Sequence, residues 1–174
     1  MAAENPSMFK NPFHLLDMPI QMDLCMSTLE AHYLERASQA HPDRFTLPFE
    51  KNAATQKSAD LNTAYQALKH PLSRAAAILW AHDMAVPGVQ NHTVLDAEIL
   101  EETMHWQEAI AQWKMNPARA QSTIQQIHQS LSKLYTDLIQ TFDMQPKAAW
   151  GKIYTRLCYL DKLQQRCQEE TPQP

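Results

Sequence analysis

The residues best suited to chemistry stand together as His41, Pro42 and Asp43. A histidine and a carboxylate two positions apart could act as an acid–base pair, because imidazole exchanges protons near neutral pH. The same residues could form a docking tip, in which Pro42 fixes the backbone and lowers the ordering cost of binding. Asp43 could then make a charge-assisted contact with an arginine of a partner. A third interpretation is that His41 and Asp43 only cap and end a helix.

Two long helical patterns flank this tripeptide and would position it. In the first, one helical face carries Leu29, Tyr33, Ala37 and Ala40. This helix should begin near residues 22–26. It should end at Ala40, because Pro42 disfavours the helical conformation in the residue before it. The second pattern covers residues 49–69. A short exposed loop joins the two predicted helices, so the tripeptide stands at the tip of a helical hairpin.

The remaining segments also have helical patterns. A short helix is predicted over residues 11–18, with Asn11 as its N-cap, and another over residues 71–82, which Pro71 opens. Turn-forming residues then interrupt the pattern, so residues 86–95 are predicted to be a linker. Beyond the linker, apolar residues spaced alternately three and four apart predict a bundle of three helices, over residues 96–114, over residues 117–142 and from residue 146 onward.

Composition narrows the class of protein. Only 2 of the 174 residues are glycine, which counts against glycine-rich phosphate loops and dinucleotide-binding folds. The net charge of −4 predicts no nucleic-acid partner, and no apolar run is long enough for a membrane span. Neither zinc nor a disulfide framework is expected from three cysteines without CxxC spacing. We interpret them as small buried residues of a cytoplasmic protein, at Cys25, Cys158 and Cys167.

Four segments match one known family in their order along the chain. They are NPFHLL at residues 11–16, NTAYQALKHPLSRA at residues 62–75, HTV at residues 92–94 followed by Asp96, and YLDKL at residues 159–163. With the His-Pro-Asp tripeptide at the right distance before the second segment, the chain resembles the HscB-type J-domain co-chaperones of iron–sulfur cluster assembly. Eukaryotic members often carry an N-terminal pair of CxxC motifs for zinc. This chain has none, so it resembles a bacterial form.

The resemblance implies both a fold and a function. The fold would be an L-shaped all-α protein, with an N-terminal J domain at residues 1–85 and a C-terminal three-helix bundle at residues 96–170. The bundle would bind the iron–sulfur scaffold protein IscU. The J domain would bring IscU to a DnaK-type chaperone, HscA, and stimulate the ATPase of that chaperone. The protein would be a cytoplasmic monomer without a cofactor, and catalysis would belong to its partner.

For the chaperone contact, the resemblance implies the residues His41, Pro42, Asp43, Arg36 and Arg44. The second helix of a J domain is commonly rich in lysine and arginine, which steer the domain onto an acidic surface. Here Arg36 is the only such residue on the predicted helix, and it stands where leucine is usual. We therefore expect a weak, modestly salt-dependent affinity, and Arg36 could also be no more than a surface charge.

For the scaffold contact, the matching positions are Leu100, Glu101, Met104, His105, Glu108 and Tyr159. At about 100° per residue, Leu100 and Met104 fall off the helical face predicted to enter the core. An apolar pair rimmed by carboxylates suits a modest protein interface. Glu101 and His105 differ in residue type from the family's contact residues. Leu100 and Met104 could instead pack against another helix or against the J domain.

Three alternatives stay open at this point. A general J-domain co-chaperone would deliver a different client, and a pulldown would then recover other proteins but no IscU-like protein. An enzyme would use His41 and Asp43 as acid and base, although no glycine-rich loop, metal-ligand spacing or nucleophile with a partnered base accompanies them. A nucleic-acid-binding helical protein is disfavoured by the acidic balance of charge, and a salt titration of duplex binding would decide.

Overall fold

The computed structural model describes residues 11–87, 96–114 and 120–170. Within these ranges the regular structure is helical and contains no strand, so the prediction of an all-α protein is confirmed. None of the described helices combines the length and the apolar character needed to cross a membrane.

The chain divides into two compact units, Met1–Met84 and Ala85–Pro174. The predicted linker, residues 86–95, lies almost wholly outside the described residues. The limits proposed for the two domains therefore stay a prediction.

The described part of the first unit contains a hairpin of two long helices with a short helix on either side. The helices are α1 (Pro12–Leu15), α2 (Met26–Gln39), α3 (Pro48–Lys69) and α4 (Pro71–Ala81). Helix α3 packs against α1, α2 and α4, so it is the centre of this unit. The helix before the tripeptide ends as predicted, with Ala40 as its C-cap. Pro48 and Pro71 each open a helix at its first position, where a missing N–H costs no hydrogen bond.

Helix α1 is shorter than predicted. Asn11 caps it as expected, because its side chain accepts a hydrogen bond from the amide of Phe13 at 3.0 Å. The helix ends at Leu15, three residues before the predicted end, because Asp17 adopts a left-handed backbone conformation with a φ of 53°. Aspartate is one of the few residues that tolerate this conformation. The early turn brings Met18 into the core, where its amide bonds to the carbonyl of Phe13 at 2.9 Å.

A buried arginine joins the core of the first unit, and no sequence pattern predicts it. Arg74 on α4 is only 6% exposed. Its Nε donates to the carbonyl of Leu68 at 2.7 Å, and its Nη1 donates to the carbonyl of Met22 at 2.7 Å. The side chain therefore ties the end of α3 to the segment before α2. Burying a charge is costly unless its donors are satisfied, and here backbone carbonyls accept from them.

Replacing Arg74 should destabilise the first unit. We expect Arg74→Met to lower the free energy of unfolding by about 2–5 kcal/mol, because buried carbonyl groups lose their donors. Urea unfolding followed by circular dichroism measures the change. The matched control is Arg44→Met, since Arg44 is exposed and its bond to the carbonyl of Ser38 is long, at 3.3 Å. We expect less than about 1 kcal/mol for the control. Equal losses from both variants would contradict the role given to Arg74.

The second unit is a three-helix bundle. Its described helices are α5 (Ala97–Lys114), α6 (Ala120–Thr141) and α7 (Lys147–Glu170), with a 3₁₀ turn at Phe142–Met144 before α7. Each of the three helices packs against the other two. One cluster of the core contains Ile127, Leu131, Leu160 and Leu163, with Trp106 packed against it. These residues recur at spacings of three and four along their helices, as the sequence predicts for a bundle.

Candidate protein-interaction sites

The His-Pro-Asp tripeptide lies at the tip of the α2–α3 hairpin. It enters a 3₁₀ turn that spans Pro42–Arg44, where the sequence predicts only a loop. The side chain of Asp43 is 89% exposed, and that of His41 is more than half exposed. Neither side chain is held in the core, so both are accessible to a partner.

The geometry of the turn separates the roles of His41 and Asp43. The backbone amide of Asp43 donates to Nδ1 of His41 at 3.3 Å, so His41 caps the 3₁₀ turn and not α2. This bond requires an unprotonated Nδ1. Oδ2 of Asp43 lies 3.7 Å from the same nitrogen, which is too long for a hydrogen bond. The two side chains are therefore not joined as an acid–base pair would be, and this arrangement gives no support to the enzyme alternative.

The two arginines assigned to the chaperone contact are both engaged locally. Nη1 of Arg44 donates to the carbonyl of Ser38 and so lies back against the end of α2. Nη2 of Arg36 lies 3.8 Å from Oδ2 of Asp17, which offsets part of its charge. Exposed pairs of this kind contribute little energy and are screened by salt. The weak, modestly salt-dependent affinity stays a prediction.

Two large apolar side chains near the turn were not singled out from the sequence. Leu47 precedes α3 and Phe49 lies in its first turn, and both are exposed. The direction of Phe49 on α3 is about 100° from the buried stripe that includes Ala54 and Leu61, as a helical wheel would have shown. These two side chains give the segment after the His-Pro-Asp turn an exposed apolar surface.

Helix α5 presents an exposed groove with an apolar floor and an acidic rim. Leu100 and Met104 are 46% and 53% exposed, so they do not pack into the core of the bundle. Ile99, which points about 100° away from Leu100 around the helix axis, is buried. The shallow groove has a volume of about 350 Å³ and is lined by Ala97, Leu100, Glu101, Met104, His105 and Glu108. The structure thus brings together five of the six residues predicted to contact the scaffold.

Helix α7 is joined to α5 by ion pairs beside this groove. Nζ of Lys152 lies 2.8 Å from Oδ2 of Asp96 and 2.6 Å from Oε2 of Glu98. One turn further on, Arg156 makes two hydrogen bonds of 2.8 Å to the two carboxylate oxygens of Glu102. Tyr159, the sixth predicted contact residue, does not line the groove. It lies on α7 one turn after Arg156, with Nζ of Lys162 5.9 Å from the centre of its ring.

The contacts of Lys152 shift two pKa values. The hydrogen bond from Lys152 lowers the pKa of Asp96 below its ordinary value of 3.8. Hydrogen bonds to Asp96 and then Glu98 raise the pKa of Lys152 above its ordinary value of 10.5. Because the carboxyl pKa is lowered, its stabilising effect is present above the unfolded value and is lost as the pH falls through the folded value. Because the ammonium pKa is raised, its effect is present below the unfolded value and is lost as the pH rises through the folded one.

Removing Lys152 should return the pKa of Asp96 toward its ordinary value. We expect Lys152→Gln to move the titration midpoint of the Asp96 carboxyl upward, measured by carbon-detected nuclear magnetic resonance between pH 2 and 6. The shift should shrink in high salt because Lys152 is nearly half exposed. Lys133→Gln, which removes an exposed lysine from α6, is the control and should leave the midpoint in place. An unchanged midpoint in Lys152→Gln would contradict the pairing.

The described residues contain no cluster of side chains suited to bind a metal ion. In the ranges that the structure covers, no three His, Cys, Asp or Glu side chains are grouped so that they could hold an ion. Cys25 is exposed and Cys158 is half-buried, so the interpretation of the cysteines as buried residues is wrong for Cys25. The side chain of Cys167 lies outside the described part of the chain.

The second unit matches the model of a known family. Residues 95–168 match the family model described as the HSCB C-terminal oligomerisation domain. The second unit is therefore similar to this family over nearly all of its described residues. The α5 groove and Tyr159 lie inside the matched residues, whereas the His-Pro-Asp turn lies before them.

Curated relatives extend the likeness to HscB. The co-chaperone protein HscB homolog of Pasteurella multocida (strain Pm70) is 33% identical over 102 residues, which cover 58% of this chain and 59% of that protein. The homolog of Haemophilus ducreyi (strain 35000HP / ATCC 700724) is 35% identical over 103 residues, which cover 58% of this chain and 60% of that protein. The chain thus spans about three fifths of the length of these relatives. The likeness to HscB-type co-chaperones inferred from the sequence is confirmed.

Solved HscB structures share the fold. Chaperone HscB from Vibrio cholerae has a TM-score of 0.76 at 23% identity, over 92% of this chain and 96% of that one. Human co-chaperone protein HscB has a TM-score of 0.77 at 23% identity, over 98% of this chain and 85% of that one. The predicted fold class, a J domain together with a C-terminal helical bundle, is confirmed.

Proposed function

We propose that the protein is a co-chaperone for iron–sulfur cluster assembly in the bacterial cytoplasm. Its bundle binds an IscU-type scaffold protein, and its first unit brings that scaffold to a DnaK-type chaperone of the HscA kind and stimulates ATP hydrolysis. The observation that carries this proposal is the exposed His-Pro-Asp turn in a chain similar to HscB along both of its units. Catalysis belongs to the chaperone, whose conformational populations the co-chaperone shifts by differential binding.

The geometry of the turn supports a contact with the chaperone. Pro42 restricts the backbone, and the bond from the Asp43 amide to His41 orders it before binding. The carboxylate of Asp43 is almost fully exposed and can accept two hydrogen bonds from one arginine. Leu47 and Phe49 add apolar surface next to this charged tip.

The groove on α5 supports a contact with the scaffold. Leu100 and Met104 offer an apolar surface that water covers in the isolated protein, and burying it on binding is favourable. Glu101 and Glu108 border this surface, so a partner with apolar residues and nearby lysine or arginine would complement it. His105 lies on the same rim.

Single-turnover ATP hydrolysis by an HscA-type chaperone tests the proposal. We expect the protein to accelerate hydrolysis, and we expect an IscU-type scaffold to increase that acceleration. The same reactions without the co-chaperone provide the baseline, and a pulldown measures scaffold binding separately. Acceleration without any scaffold effect or binding would favour a general J-domain co-chaperone with another client. If the protein binds the scaffold but accelerates ATP hydrolysis by neither an HscA-type nor a general DnaK chaperone, the role given to the turn is contradicted.

A further inference from the structure

The ion pairs between α5 and α7 show the register of these two helices. Glu98 and Lys152 are 54 positions apart, and Glu102 and Arg156 are also 54 positions apart. Two pairs with the same offset, about one helical turn apart, mean that α5 and α7 run parallel and in step. The offset is therefore a property of the bundle that can be extended along both helices.

Extending the register by one turn reaches the candidate binding residues. The same offset of 54 positions pairs Tyr159 with His105, a residue of the groove rim. On the helical wheel, His105 lies on the groove side of Glu102, about 60° away. Tyr159 lies a similar angle from Arg156 on α7. The ion pair of Glu102 and Arg156 thus lies one helical turn before the position at which the groove residue His105 and Tyr159 have the same height along the two helices.

Of the cross-helix pairs, Glu102 and Arg156 have the geometry best suited to fix this register. Both guanidinium contacts are 2.8 Å long, and the side chains of Arg156 and Glu102 are only 35% and 25% exposed. A bidentate arginine–carboxylate pair restricts both distance and orientation, whereas a lysine acts as a point charge. Lys152, by comparison, is nearly half exposed and shares its ammonium between two carboxylates.

We propose that Arg156 and Glu102 are positioning residues, which hold the α5 groove and Tyr159 together as one binding surface. The inference rests on the proposed function, because it concerns the surface that binds the scaffold. The partner then contacts two helices at once, with the apolar pair Leu100 and Met104 on α5 and an aromatic ring on α7. Arg156 acts through the placement of Tyr159 and needs no contact with the partner.

Scaffold affinity measured by calorimetry in a double-mutant cycle tests the role of Arg156. We expect Arg156→Gln to weaken binding about fivefold, and to have less than about a twofold effect when Tyr159→Ala is already present. The charge exchange Arg156→Glu with Glu102→Arg should restore part of the affinity. Lys152→Gln is the matched control, with less than about a twofold effect. Full, independent effects of Arg156→Gln and Tyr159→Ala would overturn the proposal, since a purely structural ion pair would not couple to Tyr159.

Chemical cross-linking tests the register without any partner. In a protein whose native cysteines are replaced, His105→Cys and Tyr159→Cys should be joined quickly by a dithiol-reactive linker of about 8–10 Å, the usual spacing of packed helices. Adding Arg156→Gln should slow this reaction several-fold, and adding Lys152→Gln should not. An unchanged rate with Arg156→Gln would overturn the positioning role. If the unaltered protein fails to bind the scaffold, the proposed function fails, and the cross-linking rate still decides whether Arg156 sets the register.

Discussion

Asp43→Asn is expected to abolish stimulation of the chaperone's ATPase while leaving the first unit folded. The substitution keeps the shape of the side chain and removes its charge. It should also leave the turn intact, because the backbone amide of Asp43, and not its carboxylate, bonds to His41. The side chain is 89% exposed, so removing its charge should change the free energy of unfolding very little.

The size of the effect follows from the contact that Asp43 is proposed to make. Truncating one partner of a hydrogen-bonded charge pair at an interface costs about 2–5 kcal/mol, which is roughly a 30-fold loss of affinity or more. Single-turnover hydrolysis measured over a range of co-chaperone concentrations would show the loss. Circular dichroism and thermal unfolding would establish that the fold is retained. His41→Gln should also impair stimulation, because it alters the cap of the same turn.

Asp83→Asn is the matched control for this prediction. It makes the same chemical change at another exposed site of the first unit. Asp83 has a left-handed backbone conformation with a φ of 55°, which asparagine tolerates as well as aspartate does. Stimulation should therefore remain at the level of the unaltered protein. Full stimulation by Asp43→Asn, or equal losses from Asp43→Asn and Asp83→Asn, would refute the role of the turn.

Leu100→Ala combined with Met104→Ala is expected to weaken scaffold binding by roughly 30-fold or more. Two exposed apolar side chains at the centre of an acidic rim are suited to be the main energetic contacts of the interface, and such residues each cost about 1–2 kcal/mol or more when truncated. Both residues are about half exposed, so the bundle should keep most of its stability. Isothermal titration calorimetry would measure the affinity, and thermal unfolding would measure the stability.

Two control variants separate loss of contact from loss of fold. Met144→Ala removes a methionine that is 82% exposed elsewhere in the same unit, and it should change neither affinity nor stability. Leu131→Ala empties a fully buried position and should lower the free energy of unfolding by about 2–5 kcal/mol. If the double variant binds the scaffold as well as the unaltered protein does, the α5 groove is not the binding surface.

The two variants should affect different steps of the proposed cycle. The Leu100 and Met104 double variant should still stimulate the chaperone when no scaffold is present, since the His-Pro-Asp turn is unchanged. Asp43→Asn should still bind the scaffold. A variant of the groove that also loses scaffold-independent stimulation would contradict this division of labour between the two units.

Local features of the chain could be predicted from the sequence because their causes lie within a few residues. Asn11 caps α1 through an amide two positions away, and proline at positions 42 and 71 ends or opens helices by restricting its own backbone and that of its neighbour. The helical face that carries Leu29 and Ala40 was predicted from the sequence, and both residues are buried. The position of Leu100 and Met104 off the apolar face likewise predicted their exposure, because periodicity reports which side of a helix faces its neighbours.

Other features depend on partners that are distant in the chain, and the tertiary structure alone decides them. Arg74 is buried because the carbonyl of Met22, 52 positions away, accepts from it, and no local pattern predicts that satisfaction. The pairing of Arg156 with Glu102 depends on the register of two helices whose paired residues are 54 positions apart. Helical periodicity determines which face of a helix is buried. It leaves open how far one helix slides along another, because sliding preserves the apolar seam, and specific contacts between side chains must select the register.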